Sequence, residues 1–241
     1  MRTLILQKIR LTQYFFIFFF IYAVIVLLAP NMKFESGALT LFSVNSFLYG
    51  FYIAPILSAQ KARIEELHKI VRAESNAIFA MVLSIKRLPD ELRTTLQNMF
   101  LAYLKTSLRE RKAAEGEKKY EELISYCLDY KGEHSEVIDK LLDKLVSNQQ
   151  NRTNFSMQMR NKVFSNEWMI MFVLFSITLS FILTIDVGSG IVYSFLAAFL
   201  CTGLTMLLLI LVKMSSLTHK KATQIWDPFQ KLVDSHFYRM D

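Results

Sequence analysis

The chain has 241 residues, of which 53% are hydrophobic and 20% are charged, with only 7 Gly and 4 Pro. This composition excludes a disordered chain, and the clustering of its apolar residues excludes an ordinary soluble domain. The formal net charge is +7. The basic residues are confined to a few parts of the chain, a distribution explained below without nucleic-acid binding, so we expect no nucleic-acid partner.

Four blocks of the sequence carry almost no charge. They are residues 11–29, 37–59, 168–185 and 191–212. As a helix, which rises about 1.5 Å per residue, each block reaches across the ~30 Å hydrocarbon core of a bilayer. The sequence therefore predicts an all-α fold with four transmembrane helices. The first block is too long for a signal peptide and lacks a small-residue cleavage site, so we expect it to be retained.

The basic residues orient these helices. Of the 28 Lys and Arg, 3 precede the first block, 19 lie between residues 60 and 166, and 5 lie from residue 213 onward, which leaves only Lys33. Since Lys and Arg concentrate on the cytoplasmic side of a membrane, both termini and the central region are expected there. The predicted protein is a multi-pass protein of the cytoplasmic (inner) membrane. Its predicted domains are a first hairpin (1–59), a cytoplasmic helical domain (60–166), a second hairpin (167–213) and an amphipathic tail (214–241).

The central region repeats apolar residues at helical spacing. Ile64, Val71, Ile78 and Ile85 recur every seven residues, and residues 60–88 contain no Gly or Pro, so the second span is expected to continue as one long helix. Its apolar stripe favours core packing over a coiled coil between subunits. A second helix is predicted to open at Pro89, a third to cover 120–130 and a fourth to cover about 135–164. The inward positions of the fourth are predicted as Val137, Ile138, Leu141, Leu142, Leu145 and Val146.

The last part of the chain is amphipathic. Residues 223–238 place Ile225, Trp226, Phe229, Leu232, Val233 and Phe237 largely on one helical face. We expect this segment to be helical, and to pack on a neighbouring cytoplasmic domain or to lie at the membrane surface.

The sequence contains no motif of a known catalytic site. It has no P-loop, GxGxxG or GxSxG, its four His are widely separated, and Cys127 and Cys201 form neither a CxxC nor a zinc motif. We therefore predict that the protein is not an enzyme and needs no cofactor or metal. The four apolar blocks also lack ionisable side chains at their centres, which disfavours a proton-coupled carrier.

The second span carries an unusual stripe of small and hydroxyl residues. Thr40, Ser43, Phe47, Gly50, Ala54 and Ser58 fall along one helical face, with Asn45 and Ser46 beside it. Small residues allow close helix packing, whereas a ring of such helices could instead line a pore with an apolar neck. On the stripe alone, packing is favoured over a pore.

Several segments resemble one family. Residues 46–52, Ser-Phe-Leu-Tyr-Gly-Phe-Tyr, resemble the neck segment of bestrophin channels, and the order of spans and central domain is similar. Residues 72–78 and 87–92, Tyr103 and residues 152–160 resemble more closely the bacterial bestrophin-like membrane proteins of unknown function.

The resemblance implies a homopentameric channel in a lipid bilayer, lined by the second span and passing small inorganic ions. It places the neck at Ser43, Phe47 and Phe51, and the stripe adds Gly50 and Ala54 to the pore-lining positions. Ser43 is polar where the family has an apolar neck residue. An acidic calcium-binding cluster is missing after the fourth span, so calcium gating is not expected. Many bestrophins conduct anions, and the excess of positive charge on the inner side is compatible with anions here.

Two other classes share this outline. A stator-like or energy-transducing unit also places about 100 residues between its second and third spans, but it would need a partner chain that carries a membrane carboxylate. A membrane-anchored sensor would instead bind a ligand with its cytoplasmic helices. The sequence identifies neither the partner chain nor the ligand.

Overall fold

The computed structural model of the chain describes residues 9–28, 32–110, 113–186, 191–219, 222 and 224–235, without the side chains of residues 110 and 113–115. These residues form α-helices joined by short connections. The β-structure within the described part is a single isolated bridge between Met32 and Ile185. The predicted all-α class is therefore confirmed.

The helices divide between two compact units. Residues 1–62 and 162–222 form the first, here called the apolar unit, and residues 63–161 and 223–241 form the second, the polar unit. In chain order the helices are α1 (Leu11–Leu28), α2 (Ser36–Ile85), α3 (Asp90–Glu110), α4 (Ala113–Asp129), α5 (Ser135–Arg160), α6 (Ser165–Thr184), α7 (Ile191–Ser215) and α8 (Asp227–Asp234), with a 3₁₀ turn (Gln224–Trp226) directly before α8.

The apolar unit exposes much of its hydrophobic surface. Four described helical stretches, which contain α1, α2, α6 and α7, are long and apolar enough to cross a membrane. Large apolar side chains such as Phe20, Leu27 and Leu28 are exposed on them, and exposed apolar surface of this extent is what a bilayer covers. Inside the unit, α1 packs on α7, where the Phe19 and Phe199 rings lie 4.5 Å apart.

Helix α2 is one continuous helix of 50 residues, as its sequence predicts. Its residues 36–62 belong to the apolar unit and its residues 63–85 to the polar unit. The repeated apolar positions of the second part, Ile64, Val71, Ile78 and Ile85, are all buried. The interpretation of this stripe as core packing is therefore confirmed.

Helix α4 begins earlier than predicted. It starts at Ala113 instead of at Tyr120 and passes through Gly116 without a break. The glycine is explained by packing, because a Cβ added at Gly116 would lie 2.6 Å from Ser107 Oγ of α3. Its missing side chain lets the two helices approach closely, so the prediction that this helix begins only at residue 120 was wrong.

Helix α5 ends at Arg160, before the predicted end near 164. The guanidinium of Arg63 on α2 binds this end, with Nε donating to Gln158 O (2.7 Å) and Nη2 to Met159 O (3.1 Å). A positive group suits the negative end of a helix dipole. Ile138 and Leu145 are buried as predicted, but Val146 is 58% exposed, so its inward assignment was wrong. The buried face continues instead through the positions Asn148, Arg152 and Phe155.

The C-terminal segment, defined here as residues 224–234, is helical and packs within its own chain. Ile225, Phe229 and Leu232 are buried, and Ser75 Oγ of α2 donates to Pro228 O (3.3 Å). Its helical character is as predicted, and the expected contact with a neighbouring domain or the membrane surface stays a prediction. The rest of the predicted amphipathic stretch, residues 223 and 236–238, lies outside the described residues.

Candidate pore-lining face

Three side chains fix the rotation of α2 within the apolar unit. Asn45 Nδ2 donates to Leu174 O (3.0 Å) and to Thr178 Oγ1 (2.7 Å) of α6. The buried Tyr49 donates from its hydroxyl to Leu204 O of α7 (3.3 Å), and Ile53 is buried one turn further on. Residues 45, 49 and 53 follow at intervals of four, so they form one face of the helix, which is held against α6 and α7.

The opposite face of α2 carries all five predicted pore-lining residues. Ser43, Phe47, Gly50, Phe51 and Ala54 are exposed, and the fractions for Phe47 and Phe51 are 69% and 70%. The two Phe rings stack with their centroids 5.9 Å apart and their planes inclined by 18°. Nothing lies within 4 Å of a Cβ built at Gly50. The structure brings the five residues onto one surface, and that this surface lines a pore stays a prediction.

The polarity of this face changes along the helix. The Thr40 and Ser43 hydroxyls donate to Ser36 O and Leu39 O, each at 3.0 Å, so their oxygens remain available as acceptors. The Phe47 and Phe51 rings follow and offer no hydrogen bond. Lys61 is exposed and lies 18 residues after Ser43, which is about five helical turns and hence the same side of α2. The face thus runs from hydroxyl through aromatic to positive.

A third side of α2 is aliphatic. Leu41, Val44 and Leu48 are exposed beside the stripe, and such side chains suit lipid or a neighbouring helix. The sequence placed Asn45 beside the small-residue stripe, but its hydrogen bonds put it on the packed face. Asn45 is a contact between helices of one chain, with partners 129 and 133 positions away.

A buried charged cluster in the polar unit was not predicted. Tyr103 of α3 donates a hydrogen bond to Glu74 of α2, and Arg152 Nη1 of α5 lies 3.8 Å from Glu74 Oε1. The side chains of Arg152 and Glu74 are only 7% and 4% exposed. The Arg152 guanidinium lies 4.9 Å from the Tyr103 ring centre and 4.2 Å from that of Tyr120, so it is held by two cation–π contacts.

One signal in the sequence could have revealed this cluster. Glu74 lies three residues after Val71 and four before Ile78, and Arg152 lies seven after Leu145, so each occupies a buried apolar stripe. A charged side chain at such a position must be paired inside the protein. The alternation of acidic and basic residues in this region predicts a solvated helix surface, which is wrong for these two residues.

The surroundings of the cluster shift its ionisation. Burial raises the pKa of Glu74 above its ordinary value, although the Tyr103 hydrogen bond and the charge of Arg152 act in the opposite direction. Burial also raises the pKa of Tyr120 to about 12. The Tyr120 hydroxyl donates to Leu145 O (2.9 Å) and accepts from Asn148 Nδ2 (3.1 Å). Tyr120 is therefore neutral, and the two hydrogen bonds of its hydroxyl hold its ring against the Arg152 guanidinium.

Metal-ligating side chains do not converge in the described part of the chain, where no group of three His, Cys, Asp or Glu could hold an ion. Both cysteines are buried and unpaired with each other, and burial raises the pKa of Cys127 to about 12. The features that stand out are therefore the exposed face of α2 and the Glu74–Arg152 cluster.

Comparison with known proteins gives one match. The model of a family described as Bestrophin-like domain matches residues 15–230, a range that contains both features. No curated protein and no solved structure matches the chain. The segments on which we based the resemblance, 72–78 and 152–160 together with Tyr103, supply the three side chains Glu74, Arg152 and Tyr103. Segments that are far apart in the sequence thus meet in one cluster.

Proposed function

Since the chain belongs to the bestrophin-like family, we propose that it forms an oligomeric ion channel whose pore is lined by the exposed face of α2. The observation that carries the proposal is the rotation of α2. Asn45 and Tyr49 hold one side of the helix against its own subunit, and Ser43, Phe47 and Phe51 therefore point away from it. Because the rotation of α2 is fixed in this way, every copy of the chain would present the same face of α2 to the axis of the oligomer.

The proposed assembly is a homopentamer in the cytoplasmic membrane. The family's channels are oligomeric, and the apolar helices of one subunit are too few to enclose a pore. The aliphatic side of α2, with Leu41, Val44 and Leu48, would pack on a neighbouring copy while the stripe faces the axis. The charge distribution supports placing both termini and the polar unit on the cytoplasmic side.

The proposed conduction is passive, with no catalytic step. Hydroxyl oxygens of Thr40 and Ser43 would keep the outer end of the pore wet, and rings of Phe47 and Phe51 would form an apolar neck that water enters reluctantly. Below the neck, copies of Lys61 would attract anions and repel cations. The proposed permeant ions are therefore small inorganic anions.

We expect Lys61→Glu to change ion selectivity. In planar bilayers under a KCl gradient, the reversal potential of the wild-type protein should lie close to the equilibrium potential of chloride. In the variant the anion-to-cation permeability ratio should fall at least roughly fivefold, because one charge at the edge of a water-filled pore is worth about 1 kcal/mol. Lys144→Glu makes the same charge change on an exposed position of α5 and should leave the potential unaltered. Equal reversal potentials for the two variants would contradict a position of Lys61 on the ion path.

A further inference from the structure

A small cavity adjoins the buried cluster of the polar unit. Its lining includes Glu74, Glu117 and Arg152 on one side, and Trp226 and Phe229 of the C-terminal segment on the other. Its volume of about 20 Å³ is close to that needed for one water molecule, so no organic ligand fits. A proton needs no such space, so a carboxyl group that lines the cavity could still bind one.

The charges around this cavity do not balance. Helix α2 contributes Glu74, α4 contributes Glu117 and α5 contributes Arg152, so two carboxylates share one guanidinium. The tyrosines that face them are Tyr103 of α3 and Tyr120 of α4. From the described part of the C-terminal segment, the side chains that line the cavity are aromatic and do not titrate. Taking up one proton would leave the buried group neutral overall, which avoids the cost of an unpaired buried charge.

The geometry selects Glu74 as the carboxylate that takes the proton. It is almost completely buried, whereas Glu117 is half-buried and accepts a hydrogen bond from Gln149 Nε2 (3.4 Å). The contact between Arg152 and Glu74 is an ion pair at 3.8 Å without a hydrogen bond. Arg152 Nε and Nη1 also make no hydrogen bond to the residues that the structure describes. The negative form of Glu74 is thus only partly compensated.

The C-terminal segment closes this site. Phe229 lies against Tyr103 with ring centres 6.2 Å apart, and Trp226 lies against Phe155 at 5.3 Å. Ser75, the residue that follows Glu74, donates a hydrogen bond to Pro228 O and so holds the segment beside this part of α2. Moving the segment away would let water reach the Glu74 carboxyl group, which favours its ionised form.

We propose that Glu74 is a proton-binding site and that the C-terminal segment closes over it when the proton is bound and loosens when the proton leaves. Burial raises the pKa of Glu74 in the closed form. The stability that this site gives to the closed form is therefore complete below the ordinary carboxyl pKa and is lost as the pH rises through the raised value. Acid keeps the segment closed, and alkali loosens it.

Trp226 allows this to be measured on the full-length protein in detergent. The chain has 2 Trp, so Trp168→Phe leaves Trp226 as the sole indole. Its emission maximum and its quenching by acrylamide are followed between about pH 5 and about pH 9, the interval in which buried carboxyl groups titrate. We expect the emission to shift to longer wavelength and the quenching to increase several-fold as the pH rises.

Three variants in the same background identify the titrating group. Glu74→Gln, which is neutral and of the same shape, should remain closed at every pH. Glu65→Gln changes an exposed carboxyl on the same helix and should keep the wild-type transition. Glu117→Gln removes a like charge and should lower the midpoint by about one pH unit. The absence of a transition in the Trp168→Phe protein, its persistence in Glu74→Gln, or an unchanged midpoint in Glu117→Gln would each overturn the proposal, and the last still decides if Glu74→Gln fails to fold.

Discussion

Replacing Phe47 and Phe51 by Ala is expected to raise single-channel conductance several-fold and to weaken ion selectivity. The two rings are largely exposed and stack on each other, so they are not part of the buried core of the subunit. In the proposed ring of copies they narrow the pore and leave no hydrogen-bonding group for water, so their removal should widen the neck and let it hydrate. Ser43→Ala should change conductance much less, because it removes only a hydroxyl that already bonds within its helix.

The same variants distinguish a pore from a packing interface. If Phe47 packs between subunits, its truncation leaves a cavity and should cost the oligomer roughly 3–5 kcal/mol, without any gain of current. Oligomer mass by native mass spectrometry and current in planar bilayers are therefore measured on one preparation. Leu48→Ala, on the aliphatic side of α2, serves as the control that should affect assembly but not the neck. A Phe47→Ala protein that falls apart and conducts nothing would contradict the pore assignment.

Arg152→Met is expected to lower the free energy of unfolding of the polar unit by roughly 3–5 kcal/mol, the usual result of removing one partner of a buried ion pair. The variant keeps most of the side-chain volume but removes the guanidinium that Glu74 and Glu117 share, so a carboxylate of the cluster stays uncompensated. It also removes both cation–π contacts. Thermal unfolding in detergent, followed by circular dichroism, measures the loss.

A double variant tests the cause of that loss. Glu74→Gln combined with Arg152→Met removes the charges of the buried pair and leaves only the half-buried Glu117 of the three groups, so it should recover much of the stability. Arg160→Met, an exposed position at the end of the same helix, should unfold close to the wild type. An Arg152→Met protein as stable as Arg160→Met would show that the buried pair contributes little.

Much of the helical framework could be predicted because its signals are local. The heptad spacing of Ile64, Val71 and Ile78, together with the absence of Gly and Pro, is enough to predict the long second helix. The start of α4 was missed because Gly116, a poor helix former inside a charged run, gives no local sign of a helix. Its role depends on Ser107 of another helix, which local pattern cannot show.

The candidate site could be predicted only in part for the same reason. Spacing places Ser43, Phe47 and Phe51 on one face, but only the bonds of Asn45 and Tyr49 to distant helices show that this face points away from the subunit. The Glu74–Arg152 pair forms only when two helices that are distant in the sequence, α2 and α5, come into register. Their charges resemble those of a solvated helix unless their positions within the apolar stripes are counted.

Thiol modification during current recording tests the central claim most directly, because it reports on conduction and on the orientation of α2 together. The native Cys127 and Cys201 are buried, so a charged methanethiosulfonate reagent should react with an exposed introduced thiol and leave the native thiols unmodified. In planar bilayers we predict that the reagent alters the current of Ser43→Cys promptly and leaves that of Val44→Cys, one residue further around the helix, unchanged. Reconstituted oligomers that pass no current, or that respond equally in the two variants, would contradict a pore lined by this face.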